Sequence, residues 1–202
     1  ISSLFSFLGI MIGVATLIIV MSVMNGFRFE LINKIVGVNG HAIIYLKDNS
    51  SSNINDIIEG IENLDNIESV VKELEVHGMV SNKKNSSGGI IKGIDKVDLY
   101  ERNSIADNII EGDLKNFDGK NIILGIRMAK YLGVKINDKI KILTSATTQT
   151  PYGAIPVTDS FRIIGIFDVG MYEFDKNILF MPRDQAKILT NGNREISHLE
   201  IF

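Results

Sequence analysis

From Leu4 to Met24 the chain carries no charged side chain. An α-helix needs roughly 20 apolar residues to cross a bilayer core of about 30 Å, and this run meets that length. The composition then changes at Asn25-Gly26-Phe27-Arg28-Phe29-Glu30-Leu31-Ile32-Asn33-Lys34-Ile35-Val36-Gly37. Phe27, Leu31 and Ile35 recur at helical spacing beside Ile32 and Val36, with Arg28, Glu30, Asn33 and Lys34 elsewhere on the wheel. Glu30 and Lys34 stand i,i+4 in the favoured order, and Gly37 and Gly40 are plausible stops. The pattern predicts one long helix: a membrane span over residues 1–26 that continues as an amphipathic stalk over 27–40 and feeds a folded domain. A signal peptide has a shorter apolar region that ends at a small-residue cleavage site. The length of this run, and the Asn-Gly-Phe-Arg-Phe-Glu after it, favour an uncleaved span over a signal and over a buried core helix. Gly9 and Gly13 form a G-x-x-x-G, a spacing that lets a second membrane helix approach closely.

Outside the span, the 202 residues leave enough chain for one medium domain or two small ones. A net charge of −3 without a basic cluster gives no footprint for nucleic acid. The absence of cysteine rules out thiol catalysis, cysteine-ligated metals and disulfides within these residues. The chain opens on Ile1 without an initiator Met and closes in the apolar alternation His198-Leu199-Glu200-Ile201-Phe202, so we expect a part of a longer membrane protein.

Strands are expected at 41–46, 67–80, 90–94, 121–124, 139–144, 158–167, 177–181 and 197–202. Ile54, Ile57, Ile58, Ile61 and Leu64 lie at helical spacing. Further helices are expected within 95–108, at 125–132 ended by Gly133, and at 183–190 after Pro182. Residues 81–89 and 109–120 read as loops. Ser145 to Val157 has no charge and two of the chain's three prolines. Between two strands it reads as the tip of a long hairpin, and long structured loops tend to carry function. A β-α-β unit at each end with a different middle gives an α+β fold: a split subdomain, 41–95 with 171–202, and an inserted, mainly β subdomain, 96–170, with its hairpin at 145–157.

No catalytic constellation emerges. His41, His77 and His198 lack metal-ligand spacing and read as structural. Residues 112–120 fail as a phosphate loop, because the glycines stand too far apart and Asn121 replaces the needed Ser or Thr. Asp98, Glu101, Asp107, Glu111 and Asp113 fit no calcium loop and read as a solvated face. We expect no metal, no cofactor and no enzyme.

Three stretches carry a resemblance. Met21-Ser22-Val23-Met24-Asn25-Gly26-Phe27-Arg28-Phe29-Glu30, running on to Gly37, resembles the first membrane helix of the lipoprotein-releasing ABC transporter permeases, the Lol C/E family. Asn121-Ile122-Ile123-Leu124-Gly125 with Ala129, then Leu132-Gly133-Val134 and Asp138-Lys139-Ile140, is similar to that family's MacB-like periplasmic domain. So is Pro151-Tyr152-Gly153-Ala154-Ile155-Pro156 followed by Phe161-Arg162-Ile163-Ile164-Gly165.

The resemblance implies a permease subunit in the bacterial inner membrane, its main domain periplasmic. Its implied partners are a separate ABC ATPase and a sister permease or second copy. It would extract outer-membrane lipoproteins and hand them to a periplasmic lipoprotein carrier. The same resemblance implies that Pro151, Tyr152, Gly153, Ala154, Ile155 and Pro156 form the tip of a carrier-binding hook, flanked by Lys141. It also implies that Val20, Met21, Val23 and Met24 line a cavity for the lipoprotein's acyl chains, where flexible Met suits variable chains. Gly9 and Gly13 would pack a neighbouring helix. Thr158 and Asp159 depart from the Gln- and Arg-like residues expected after the hook. The rival within the class is a MacB-like efflux or mechanotransmission permease. The rival from another class is a single-span, membrane-anchored sensor or ligand-binding domain.

Overall fold

The computed structural model describes residues 2–46, 54–64, 67–151, 153–192 and 195–202. It divides into two compact units, Ile1–Gly37 and Val38–Phe202.

The first unit is helix α1 (Ser2–Val38), unbroken through Asn25-Gly26. Its segment Ser3–Ile32 is long and apolar enough to cross a membrane. Thirty residues at 1.5 Å each reach about 45 Å, which exceeds a hydrocarbon core of about 30 Å. All side chains from Ser3 to Ile32 are exposed within the chain. The hydroxyl of Thr16, deep in the run, is satisfied locally: its Oγ1 donates to Ile12 O at 2.8 Å.

The second unit starts with β1 (Ala42–Tyr45) and α2 (Ile54–Glu62), then β2 (Val70–Ser81) and β3 (Ser86–Ile94). Helices α3 (Lys96–Glu101) and α4 (Asn103–Ala106) follow, then β4 (Ile109–Gly112), β5 (Asn121–Gly125) and α5 (Ile126–Leu132). The chain continues through β6 (Lys139–Thr150), β7 (Gly153–Phe167), α6 (Tyr172–Asn177), β8 (Ile178–Pro182), α7 (Arg183–Leu189) and β9 (His198–Ile201).

The pairing closes on itself. β2 pairs β3, β3 pairs β8, β8 pairs β5, β5 pairs β7, β7 pairs β6, and β6 returns to β2. β2 manages both partners on one edge by dividing its length: Val70–Glu73 faces β9, and Gly78–Ser81 faces β6. β1 adds to the outer side of β9, and β4 to the end of β7. Inside the ring lie Leu74, Val80, Ile91, Ile122, Leu124, Met128, Leu132, Ile140, Ile142, Phe161 and Ile163. A second core gathers Ile94, Leu99, Ile105, Phe117, Ile123, Phe167, Phe174, Ile178 and Phe180. In it Phe167 meets Phe180 edge-on, with centroids 5.7 Å apart. A small third core joins Ile54 and Ile58 of α2 to Leu199.

Two glycines set this packing. Gly133 ends α5 at φ 67°, where a side chain would be strained. Gly93 lets α7 lie against β3, since a Cβ there would stand 2.5 Å from the Cβ of Ala186.

Several boundaries differ from the sequence expectation. β3 begins at Ser86 rather than 90, because the connection is a tight turn: Asn82 Oδ1 accepts from the Lys84 and Asn85 N–H groups at 2.7 and 2.8 Å. Glycines 88 and 89 then extend the ladder opposite Met79 and Gly78. β4 forms inside the expected loop because β7 offers it an edge. α6, with no apolar period of its own, is held by the burial of Phe174. The uncharged 145–157 segment is mostly ladder rather than irregular tip.

Candidate functional site

The hairpin of β6 and β7 has two parts. At its base, Lys139↔Arg162 through Leu143↔Thr158 belong to the ring. Ile140 and Ile142 point inward, while Lys139, Lys141 and Leu143 point outward. Beyond a register break, Thr147↔Pro156 through Thr150↔Gly153 form a two-stranded arm that pairs with no third strand among the described residues. Its threonines are good strand formers, which is why a segment without charges extends rather than coils. Beyond the closing pair Thr150↔Gly153 the chain turns at Pro151, whose ring fixes φ as a turn position needs. Gly153 follows at φ 117°, a conformation that only glycine adopts readily.

The arm's described side chains carry no charge and face solvent; Ile155 is 52% exposed. Pro151, Gly153, Ala154, Ile155 and Pro156 thus share one protruding tip. Tyr152 lies outside the described residues. Lys141 sits at the base on the outward face, opposite Ser160. Asp159 is engaged by Lys120, whose Nζ stands 2.7 and 2.6 Å from its two carboxylate oxygens. That pair is partly exposed, and Lys120 lowers the Asp159 carboxyl against the opposing effect of partial burial.

On α1, Val20, Met21, Val23 and Met24 are exposed, with Val20, Val23 and Met24 at i, i+3 and i+4 on one face. Nothing crowds Gly9 or Gly13, so the groove between them is open. Of the residues expected to form a hook, Pro151, Gly153, Ala154, Ile155 and Pro156 lie together and Lys141 lies at the hairpin base; the expected α1 residues form a separate group.

A third constellation was missed in the sequence. Glu73 of β2, Lys92 of β3, Arg102 between α3 and α4, and His198 and Glu200 of β9 are all buried. Lys92 Nζ lies 2.7 Å from Glu73 Oε1 and 3.2 Å from Glu200 Oε1. Arg102 bridges the same two carboxylates from the other side, at 3.4 Å to Glu73 and 2.5 Å to Glu200. His198 Nε2 approaches both, at 3.4 and 3.5 Å. Arg102 also lies over the Phe202 ring, 5.1 Å from its centroid.

Burial by itself pushes the Glu200 carboxyl up, but the hydrogen bond from His198 and the charges of Arg102 and Lys92 override it and bring it down to about 2. Glu73 is held below the usual carboxylate range by the same balance. Burial would lower His198, yet its hydrogen bonds to Glu200 and Glu73 raise it to about 9. These shifts favour ionised Glu73 and Glu200 and a protonated His198 at neutral pH.

Glu73, His198 and Glu200 also place potential metal-ligand atoms within 4.8 Å of one another. Lys92 Nζ already occupies the position between the two carboxylates that a cation would take, so these residues do not fit a metal. The alternating His-Leu-Glu-Ile of β9 carries no signal for the cluster, because alternation normally marks one wet face. Its groups are ions paired with one another, although Arg102 Nε and His198 Nδ1 are buried without a hydrogen-bond partner.

Residues 3–201 match the family model of the MacB-like periplasmic core domain. The chain is 27% identical over 198 residues to the lipoprotein-releasing system transmembrane protein LolC of Neisseria meningitidis serogroup B, covering 97% of this chain and 48% of that protein. It is 30% identical over 196 residues to LolC of Buchnera aphidicola subsp. Acyrthosiphon pisum, covering 96% and 48%. LolE of Haemophilus influenzae is 27% identical over 203 residues, covering 98% and 49%. The chain thus spans about half the length of the curated relatives it matches.

Among solved structures, the periplasmic region of MacB from Actinobacillus actinomycetemcomitans superposes with a TM-score of 0.52 at 12% identity, covering 82% of this chain and 76% of that one. The extracellular domain of YknZ, a noncanonic ABC-type transporter from Gram-positive bacteria, gives 0.51 at 13%, covering 79% and 81%. At such identities the likeness is one of fold. A match over almost all of its length decides the family: the chain belongs to the MacB-like periplasmic core domain family.

Proposed function

We propose that this chain is part of a permease subunit of an inner-membrane ABC transporter, one that extracts outer-membrane lipoproteins and passes them to a periplasmic carrier. The observation that carries the reading is the free arm of β6 and β7: an uncharged hairpin with proline at 151 and 156 and an exposed Ile155, standing off a closed ring of strands. A proline-framed, apolar arm loses little conformational entropy on docking to an apolar-lined partner. The similarity to LolC and LolE over nearly the whole chain supports the same reading.

In this reading Pro151 to Pro156 and Lys141 contact the carrier, Val20, Met21, Val23 and Met24 line the acyl-chain cavity, and Gly9 and Gly13 pack a neighbouring helix. The subunit does no chemistry. A separate ATPase binds ATP and drives α1, which squeezes the lipoprotein out while the arm holds the carrier ready. A sister permease or a second copy completes the cavity. The working division of the domain is a split part, 41–95 with 171–202, and an inserted part, 96–170. The pairing of β9 with both β1 and β2 supports it, because it joins the first and last segments.

The test uses the full-length protein in lipid nanodiscs with residues 151–156 replaced by a Gly-Ser segment. Carrier capture is expected to vanish while the ATPase still co-purifies; retained capture rejects the hook. Membership of the MacB-like periplasmic core domain family leaves one second reading, an efflux or mechanotransmission permease that docks a periplasmic adaptor. In that case the wild type captures an adaptor and no lipoprotein carrier.

A further inference from the structure

The free arm joins the ring where its ladder is weakest. Between Leu143↔Thr158 and Thr147↔Pro156, β6 advances four residues while β7 advances two. Pro156, at the far side of this break, has no N–H to donate. A cleft of about 360 Å³, lined in part by Glu75, His77, Ser145, Ala146 and Leu189, opens beside the same stretch, so close packing does not fix it from that side.

The turn at the end of α7 grips both sides of the break. At its near end, just past the last base pair Leu143↔Thr158, the buried Thr144 donates from Oγ1 to Leu189 O at 2.8 Å. After it, Asn191 donates from Nδ2 to Thr147 O at 2.7 Å, and Thr148 Oγ1 donates to Asn191 Oδ1 at 3.4 Å. The turn holds its own shape. Asn191 and Gly192 both adopt left-handed backbone, at φ 56° and 71°, and their N–H groups donate to Ile188 O and Lys187 O at 3.0 and 2.9 Å. Asparagine tolerates that backbone better than most side chains. It also supplies a donor and an acceptor together, which glycine cannot.

We propose that Asn191 is a positioning residue for the hook: its side-chain amide clasps Thr147 and Thr148 beyond the ladder break and sets the angle at which the arm leaves the ring. The functional value of that angle rests on the carrier-docking reading above, whereas the bracing itself does not.

The test is made on the full-length protein in lipid nanodiscs, with spin labels on Gln149→Cys in the arm and Lys130→Cys on α5. These 202 residues contain no cysteine of their own. Pulsed dipolar spectroscopy reads the distance distribution between the labels. Asn191→Gly keeps the left-handed backbone and removes the amide. It is expected to broaden the distribution at least about twofold and to weaken carrier capture about tenfold, in keeping with a loss of preorganisation. Asn191→Asp, which keeps the acceptor for Thr148 and loses the donor, is expected to fall between. Asn137→Gly makes the same backbone change at φ 70° in a turn away from the arm and should leave the distribution as in wild type. An unchanged width in Asn191→Gly overturns the proposal. If wild type captures no carrier, the docking reading fails, and the distance comparison still decides the bracing.

Discussion

The β2–β3–β9 junction and the free arm of β6 and β7 use polarity in opposite ways. The junction buries five ionisable side chains, Glu73, Lys92, Arg102, His198 and Glu200. The arm carries no charge on its described side chains and exposes them to solvent. Buried charges stay only where every partner is in place, so the junction allows one register of β9 against β2 and one placement of Arg102. The arm has no such demand, and its uncharged surface carries little desolvation cost when a partner covers it. One region uses its polarity to fix the domain; the other presents an uncharged, exposed surface.

The largest effect should come from removing a carboxylate at the junction. Glu200→Ala leaves Lys92 and Arg102 with one buried anion between them and should cost about 3–5 kcal/mol, read by denaturant unfolding. A cost under about 1 kcal/mol would mean that water reaches the cluster. Replacing the arm residues 151–156 should change stability by less than about 0.5 kcal/mol, since they are exposed, while abolishing carrier capture.

The pH dependence sharpens the comparison further. His198 is raised from an ordinary 6.5 to about 9. Its contribution is complete below about pH 6.5 and is lost as pH rises through 9. Glu200 is lowered from 4.5 to about 2, so its contribution is complete above about pH 4.5 and is lost as pH falls through 2. Thermal unfolding should therefore show a plateau between these limits, with a fall on either side. His198→Gln should flatten the alkaline fall; an unaltered alkaline limb would show that another group titrates there. The arm replacement should leave the whole profile unmoved.

Smaller again is Thr144→Val, which removes the Oγ1 bond to Leu189 O and should cost about 1 kcal/mol while loosening the base of the arm. The smallest effect on stability belongs to Ile155→Ser, expected within about 0.5 kcal/mol. Its loss of carrier affinity, about 1–2 kcal/mol by titration, would mark Ile155 as an anchor of the hook.

Legibility in the sequence followed locality. The charge-free run announced α1, the isoleucines at 54, 57, 58 and 61 announced α2, and Gly133 announced the end of α5, because each signal lies within one or two turns of chain. β4 and α6 were illegible because their stability comes from an edge of β7 and from the pocket around Phe174. The hairpin tip was legible from its prolines and its lack of charge, but its division into base and arm was not, since that depends on where β2 stops pairing with β6. The Asn191 contact was illegible too: it joins residues 44 apart through a turn that resembles any other Asn-Gly.

The sequence by itself determined that the chain has a membrane-length helix, an α+β domain and an uncharged proline-framed hairpin, because hydropathy, periodicity and turn chemistry act over a few residues. Only the tertiary structure decided that the strands close into a ring and that β9 returns between β1 and β2. It also decided that Glu73 and Glu200, far apart in the chain and each in an alternating strand, meet Lys92, Arg102 and His198 out of water. Charge in a sequence is read as exposure. Inside a fold it is tolerated when ions of opposite sign arrive together, and no local window of sequence holds all of them.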